Sequence, residues 1–472
     1  MRTRPVILLA VSVVLAGPAC ADDTGSSRDG NPPAVKEPAR APITTGANPY
    51  PETVGRRDRP DPNGSLSEQF NTLLPRWLRL TGELRERFEG YSGGGFKPNA
   101  TDDYDLHRLR LGIQIRPVSW LRLFAEAQDA RVWGKSPALP PNQNTFDLRR
   151  AYVELGNTEE SGFSVRAGRQ ELNFGNARLI GESWWSNVSR SFDGVRATFR
   201  QGKIQVDTFA ASVVIVRDGV LDHHNPGNPL YGVYGTIKDW IPRSILEPYE
   251  LWHLESGVAT EEGKPGHLDQ HTTGFRFVGT LPANFDYRTE MGVQRGQLGA
   301  ERIRAWTGHW VMGYTLAHAP TSPRIFLEYD YASGDRAIRD GQSNTWDPMY
   351  YTTHDKLGLA DQFGWRNIKD LRLGSEYRMG KRWTLASSFH DFWLASAADA
   401  LYPARGPIIA RSATGMAGTH VGEEFDVQTV YRPTRQTQFG FGYGHIFTGE
   451  FLNKTTPGKD YNYPYMLADY VF

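Results

Sequence analysis

The run Arg108-Leu109-Arg110-Leu111-Gly112-Ile113-Gln114-Ile115-Arg116, a turn at Pro117-Val118-Ser119, then Trp120-Leu121-Arg122-Leu123-Phe124-Ala125-Glu126-Ala127-Gln128 decides the fold class. Leu109, Leu111, Ile113 and Ile115 alternate with Arg108, Arg110, Gln114 and Arg116, so an extended chain has one greasy face and one wet one. Past the turn, Leu121, Leu123, Ala125 and Ala127 oppose Arg122, Glu126 and Gln128. Two such strands joined by a tight turn suit a wall with lipid on one side and water on the other.

The pattern extends both ways. Upstream, Leu80, Gly82, Leu84, Glu86 and Phe88 face away from Thr81, Glu83, Arg85, Arg87 and Glu89. Downstream, strands are expected near 146–155, 163–172, 192–200, 203–213, 230–237, 247–254, 271–279, 285–294, 302–314, 323–332, 368–378, 382–392, 422–432, 436–446 and 463–472. Short connections at Pro117, Gln201-Gly202, Met379-Gly380-Lys381 and Pro433-Thr434-Arg435 alternate with long ones around Gly95, Trp185, Asn225, Gly341 and Ala410. A soluble sandwich has no reason to keep that asymmetry over so many strands. The expected fold is therefore all-β: a transmembrane antiparallel β-barrel of about 18 strands over residues 69–472, with short periplasmic turns and long extracellular loops. The last strand carries Met466, Ala468, Tyr470 and Phe472 on one face, as suits the seam of a barrel and recognition by the barrel assembly machinery.

Composition agrees: 13 Trp, 21 Tyr and 23 Phe accompany 49 Gly, a mixture suited to strands, turns and interfacial aromatics. Arg2 and Arg4, the apolar run Val6 to Gly17 and Ala19-Cys20-Ala21 read as a signal peptide over residues 1–21, which places the chain in the bacterial outer membrane. Cleavage there removes the one cysteine; lipidation of Cys20 is the alternative, weakened by the missing leucine three residues before it. Residues 22–68, rich in Pro, Gly, Ser, Asp and Arg, read as a disordered periplasmic tail. No later stretch is apolar enough for a membrane helix. With 53 basic and 53 acidic residues there is no global charge for a nucleic-acid partner.

Chemistry-bearing motifs are sparse. Gly90-Tyr91-Ser92-Gly93-Gly94 matches a nucleophile elbow but lies in a Gly-rich turn, and no catalytic constellation accompanies it. Gly440, Gly442 and Gly444 read as small positions on one strand face rather than a nucleotide loop. Glu261, Glu262, His267, Asp269 and His271 read as a solvated outer loop, and Asp335 and Asp340 likewise lack a metal spacing. The long loop 333–366 has the oxygen atoms for a structural calcium, though no cofactor or metal is expected.

The distinctive feature is arginine on the wet face of the early strands: Arg85, Arg87, Arg108, Arg110, Arg116, Arg122, Arg150, Arg166, Arg196 and Arg200, against the acids Glu83, Glu89, Glu126 and Glu154. Permanently charged, planar guanidinium groups bind carboxylates bidentately, and several dispersed sites let an anion enter and leave. Pairing with Asp207, Glu290, Glu328, Glu376 and Asp426 is expected to consume many of them, with a surplus lining the path.

The blocks YDLHRLRLG from Tyr104, LRLFAEAQDARVWG from Leu121, LRRAYVEL from Leu148, VRAGRQELNFGNARLIG from Val165, RSFDGVR from Arg190, ASGDR from Ala332 and WDPMYYTTHDKLGLADQFGWRNI from Trp346 resemble the alginate export outer-membrane porins over residues 78–472. The resemblance implies a monomeric barrel, a positively charged constriction and passage of an anionic uronate polysaccharide. It draws attention to Arg166, Arg169, Gln170 and Glu171, and to Asp193 and Arg196. Arg169 and Asp193 break the alternation, as at a bulge or beyond the lipid zone. The expected pore-lining set is Arg85, Arg87, Arg108, Arg110, Arg122, Glu126, Arg150, Arg166, Arg169, Asp193, Arg196, Asp207 and Arg372, and the partners are outer-membrane lipid, the acidic saccharide and periplasmic export proteins. A general porin for small solutes is the nearest alternative. A plugged barrel serving as an adhesin or lipid hydrolase is the third.

Overall fold

The computed structural model describes residues 66–472 apart from 139, 158–160, 261–262, 338 and 404–406. The signal peptide, Cys20 and the tail up to residue 65 lie outside the described residues, as do Glu261 and Glu262. A short helix, α1 (Leu66–Thr72), precedes the first strand and begins inside the stretch read as tail.

Eighteen strands form the wall: β1 (Leu78–Ser92), β2 (Thr101–Val118), β3 (Leu121–Trp133), β4 (Asn144–Gly156), β5 (Gly162–Gln170), β6 (Phe192–Gln201), β7 (Ile204–Val213), β8 (Pro229–Lys238), β9 (Ser244–Ala259), β10 (Pro265–Thr280), β11 (Phe285–Leu298), β12 (Glu301–Thr315), β13 (Arg324–Ala332), β14 (Ile368–Met379), β15 (Trp383–Leu394), β16 (His420–Tyr431), β17 (Thr437–Thr448) and β18 (Tyr461–Val471). Each pairs antiparallel with the next, and β1 pairs with β18 through Arg85 opposite Asp469 and Glu89 opposite Tyr465. Closure removes the sheet edges that hydrocarbon cannot satisfy. The seam runs on to Phe472, whose backbone exchanges hydrogen bonds with Gly82 at 2.7 and 2.9 Å. A Cβ on Gly82 would lie 2.1 Å from the Phe472 ring, so glycine is what lets the aromatic lie across the join.

The alternation read from β2 sorts cleanly. Leu111 is 52% exposed and Ile113 39%, whereas Arg108 is 0% and Arg110 5% exposed. Leu111→Arg is expected to destabilise the inserted barrel by about 2–4 kcal/mol, since a charge then faces hydrocarbon; urea unfolding in lipid vesicles measures it. Connections at 119–120, 157–161, 202–203, 239–243, 281–284, 316–323, 380–382 and 432–436 gather at the rim that carries the start of β1. Those at 93–100, 134–143, 171–191, 214–228, 260–264, 299–300, 333–367, 395–419 and 449–460 gather at the other. The short turns face the periplasm and the long loops the exterior. Exposed Trp77, Trp120, Trp240 and Trp383 mark the short-turn rim, as interfacial aromatics do.

The apolar core is inside the cylinder. Phe192, Leu230, Leu251, Ile368 and Phe392 point inward from the wall and pack against Phe174, Trp184, Trp346, Phe363 and Trp365 from the connections 171–191 and 333–367. Those two loops therefore fold into the barrel. The stripe Gly440, Gly442 and Gly444 gives one of them room: a Cβ on Gly444 would lie 3.3 Å from the backbone nitrogen of Ala360, and one on Gly442 would lie 2.1 Å from the Tyr465 ring. His267, Asp269 and His271 stand on the outward face of β10 rather than in a loop, with Trp252 donating to Asp269 at 2.8 Å.

Candidate functional site

The inside of the barrel has two unlike walls. Arginines of β1 and β2 form one. Arg85 donates to the carbonyl of Trp184 at 3.1 Å, and Arg108 to that of Ser186 at 3.0 Å. Arg110 donates to the Ser189 hydroxyl at 2.8 Å. Arg87 donates to the Trp185 carbonyl, and its guanidinium lies 4.0 Å from the centre of that indole ring. Carboxylates of β13, β14 and β16 form the other wall. Arg178, on the loop after β5, reaches Glu328 at 2.7 Å and Asp330 at 2.9 Å. Leu359 and Ala360, on the loop before β14, donate their backbone N–H groups to Asp426 at 3.2 Å and Glu424 at 2.8 Å.

Each loop thus offers the wall it meets the opposite polarity: carbonyls to the arginines, N–H groups and Arg178 to the carboxylates. The two loops also pair with each other. Gly181 donates to Tyr350, Tyr350 to Leu179 and Thr352 to Ala177 at 2.8–2.9 Å, and the Trp185 and His354 rings stack at 3.7 Å. The result is a crossing of the lumen fastened at both sides and joined in the middle.

One fastening titrates. Arg149 donates to Glu126 at 2.9 Å and to Glu182 at 3.1 Å, and also pairs with Glu171. Burial, then the neighbouring Glu171 carboxylate, pushes Glu182 on the crossing loop up to about 8. A carboxyl raised above its ordinary value of about 4.3 binds a proton in the docked state that the undocked state releases. The docked loop is therefore most favoured in acid, and the contribution is lost as pH rises from about 4.3 through about 8. Hydrogen exchange across 172–191 should accelerate between pH 6 and pH 9 beyond the intrinsic rate, and Glu182→Gln should abolish the excess. An excess that survives the substitution would assign it to another group.

The residues singled out in the sequence divide into three groups. Arg85, Arg87, Arg108 and Arg110 face inward and hold the crossing, with Glu83 accepting from Arg108 at 3.0 Å and from Arg110 at 2.9 Å. Arg122, Arg166, Arg150, Glu126, Arg196 and Asp207 also face inward, in pairs. Arg166 and Arg122 share Glu154 at 2.9 and 3.3 Å, Arg150 donates to Glu126 at 2.9 Å, and Arg196 donates to Asp207 at 2.9 Å. Arg372, on β14, reaches Glu328 at 3.4 Å. The third group needs correction. Arg169 and Asp193 are directly opposite each other in an unbroken register and bond at 2.8 Å. They stand on the outward face, at the long-loop end of β5 and β6, beside the connection 214–228, where Arg169 also donates to the Asp222 carbonyl at 3.0 Å. They do not line the lumen.

Several inward residues escape a period-two reading. Arg149 is turned in by a bulge that places Glu126 opposite Arg150 and Ala127 opposite Leu148. Arg178 and Lys356 come from loops, and Arg288 and Arg324 from strands whose wet faces look mixed in sequence. Two His-and-carboxylate groups lie close enough for a metal ion among the described residues, His309 with Glu328 and Asp330, and Asp391 with His420 and Glu423. Arg178 already serves the first. Gly90 to Ser92 are the end of β1 rather than a turn, and the Ser92 hydroxyl accepts from its seam neighbour Asn462 at 2.9 Å.

On the periplasmic side of the crossing two cavities open in the wall. One is lined by Arg178, Arg288, Arg324, Lys356 and Arg372 with Glu328, Asp355 and Glu376. The other, smaller one is lined by Arg166, Arg196 and Arg200 with Glu154, Ser164 and Gln205.

The barrel is similar to solved outer-membrane structures of Pseudomonas aeruginosa. OpdK matches with a TM-score of 0.58 at 10% identity over 84% of this chain and 98% of that one. OccK8 (OprE) matches with 0.56 at 11% identity over 84% and 98%. OccK2 (OpdF), solved in complex with glucuronate, matches with 0.55 at 8% identity over 84% and 98%. At such identities the likeness is one of fold. No curated protein matches the chain. The family model described as alginate export matches residues 76–465, which is most of the barrel. With a closed 18-stranded wall, short turns on one rim and that match along nearly all of it, the chain belongs to the alginate export family and is an outer-membrane channel.

Proposed function

We propose that the barrel passes an anionic polysaccharide, alginate or another acidic saccharide, passively outward across the outer membrane along an arginine-lined lumen. The observation that carries the reading is the cavity between Arg166, Arg196 and Arg200 on the periplasmic side of the crossing. There three guanidinium groups, bonded also to Glu154, Asp207 and Gln205, border a space open to a ligand that has Glu154 as its one lining carboxylate. A low-dielectric wall focuses such charge and draws anions in. The alginate export family and the glucuronate held by the structurally similar OccK2 (OpdF) support an acidic sugar as cargo. The chain is read as a channel and not an enzyme, because the Ser92 hydroxyl is bonded to an amide and not to a base.

Single-channel recording of the reconstituted protein tests this. Anion preference and block by oligouronates are expected, and cation preference without block would defeat the reading. The tight crossing favours one rival, a general porin for small solutes, for which conductance would persist with no uronate block.

A further inference from the structure

Four of the five cations in the larger cavity are committed. Arg324 holds Asp286 at 2.6 Å and Glu376 at 3.4 Å, Arg178 holds Glu328 and Asp330, Arg372 holds Glu328, and Lys356 lies 3.4 Å from Asp355. Arg288 is the exception. It points inward from β11, partly buried, and among the described residues no hydrogen bond or ion pair reaches its guanidinium. The charges around it are Arg324 and Arg276 with Glu328 and Glu376. Arg276 is spent on Glu247, and both nearby carboxylates are taken by other cations.

An uncompensated guanidinium withdrawn from bulk water is costly, and its five donors in a planar fork fit one carboxylate edge-on. The rest of the lining suits a sugar. The Phe326 ring presents an apolar surface, with Arg324 at 4.8 Å and Arg372 at 5.3 Å from its centre. Gln428 brings an amide from β16, and Asn176, Asp355 and Lys356 come from the two crossing loops. We infer that this cavity is a discrete subsite for one acidic sugar unit, whose carboxylate is clamped by Arg288 and whose hydroxyls meet the amides of Asn176 and Gln428. The inference rests on the anionic-saccharide reading and adds to it a place, a stoichiometry of one uronate and a recognition residue. The occupant also lies against Arg178, so a bound acid competes with Glu328 for the cation that fastens the crossing.

The test is block of the reconstituted full-length channel by glucuronate, with glucose and inorganic phosphate as probes, in wild type, Arg288→Gln and Asn176→Ala. Glucuronate applied from the short-turn side should block wild type and glucose should not. Arg288→Gln should raise the half-blocking concentration by about tenfold or more, as loss of a bidentate charge-assisted contact does. Asn176→Ala should weaken glucuronate block by a few-fold and leave any phosphate block unchanged, which keeps the idea testable should Arg288→Gln fail to insert. Glucuronate block equal in wild type and Arg288→Gln overturns the subsite while leaving anionic passage standing. So does phosphate block that depends on Arg288 as strongly as glucuronate block does, since the site then takes any small anion. Cation preference with no block by glucuronate or longer oligouronates removes the parent reading as well.

Discussion

Arg178→Ala is expected to raise single-channel conductance and make it fluctuate, with the barrel itself intact. Arg178 is the only side chain of the connection 171–191 for which the described residues give ion pairs to the carboxylate wall, at 2.7 Å to Glu328 and 2.9 Å to Asp330. Truncation leaves those two carboxylates buried with Arg372 and His309 as their remaining partners. Breaking a buried pair by removing one member typically costs about 3–5 kcal/mol. A loop crossing has far fewer fastenings than the wall, whose strands are bonded on both sides throughout, so the loss falls on the loop. On the other side the carbonyls of residues 184–187 still hold Arg85 and Arg108, so the loop should swing from that hinge rather than leave the lumen. Bilayer recordings decide the matter. Quiet, unchanged conductance would mean that the pairing of Leu179 to Gly181 with Tyr350 suffices to keep the crossing shut.

How far the sequence foretold this arrangement depends on whether the physics is local. Alternation in β2 is local: each side chain has one lipid face and one water face to choose from, so Leu111 and Arg110 are sorted by period two alone. Short turns are local as well, which is why both strand number and the sidedness of the loops could be read from the chain. Arg149 could not, because its inward orientation comes from a bulge that adds a residue against β3 and leaves no mark in composition. Arg169 and Asp193 stood out as exceptions to the alternation, and they are an outward pair near the rim. The fate of the loops was hidden for a deeper reason. Trp184, Trp185, Trp346 and Trp365 are too apolar for a solvated loop, yet where they pack is set by partners more than a hundred residues away in sequence. The block WDPMYYTTHDKLGLADQFGWRNI marked the second loop as family-like without saying that it enters the barrel. The arginines of β1 and β2, expected to pair partly with carboxylates and to leave a surplus lining the path, are bound by carbonyls and a hydroxyl of the first.

Those arginines make Glu83 the most sensitive position of the inner wall. Arg85 and Arg108 are directly opposite across β1 and β2, a like-charge pair that destabilises a sheet unless something stands between. Glu83 does so, accepting from Arg108 with one oxygen and from Arg110 with the other. Across the seam Asp469 is opposite Arg85 and also accepts from Gln438 at 3.2 Å, so it cannot replace Glu83 at Arg110. Glu83→Ala should therefore cost about 3–5 kcal/mol, as removal of one member of a buried ionic group does. Urea unfolding in lipid vesicles gives the number. Glu86→Ala is the control: the Glu86 side chain is 52% exposed on the outward face beside His107, where a pair is worth about 0–1 kcal/mol. Equal losses at the two positions would mean that water reaches Arg108 and Arg110 well enough to replace a carboxylate. The inner wall would then behave as an open aqueous surface, and the loop carbonyls at Trp184 and Ser186 would be contacts that hydration can readily exchange rather than what closes the lumen.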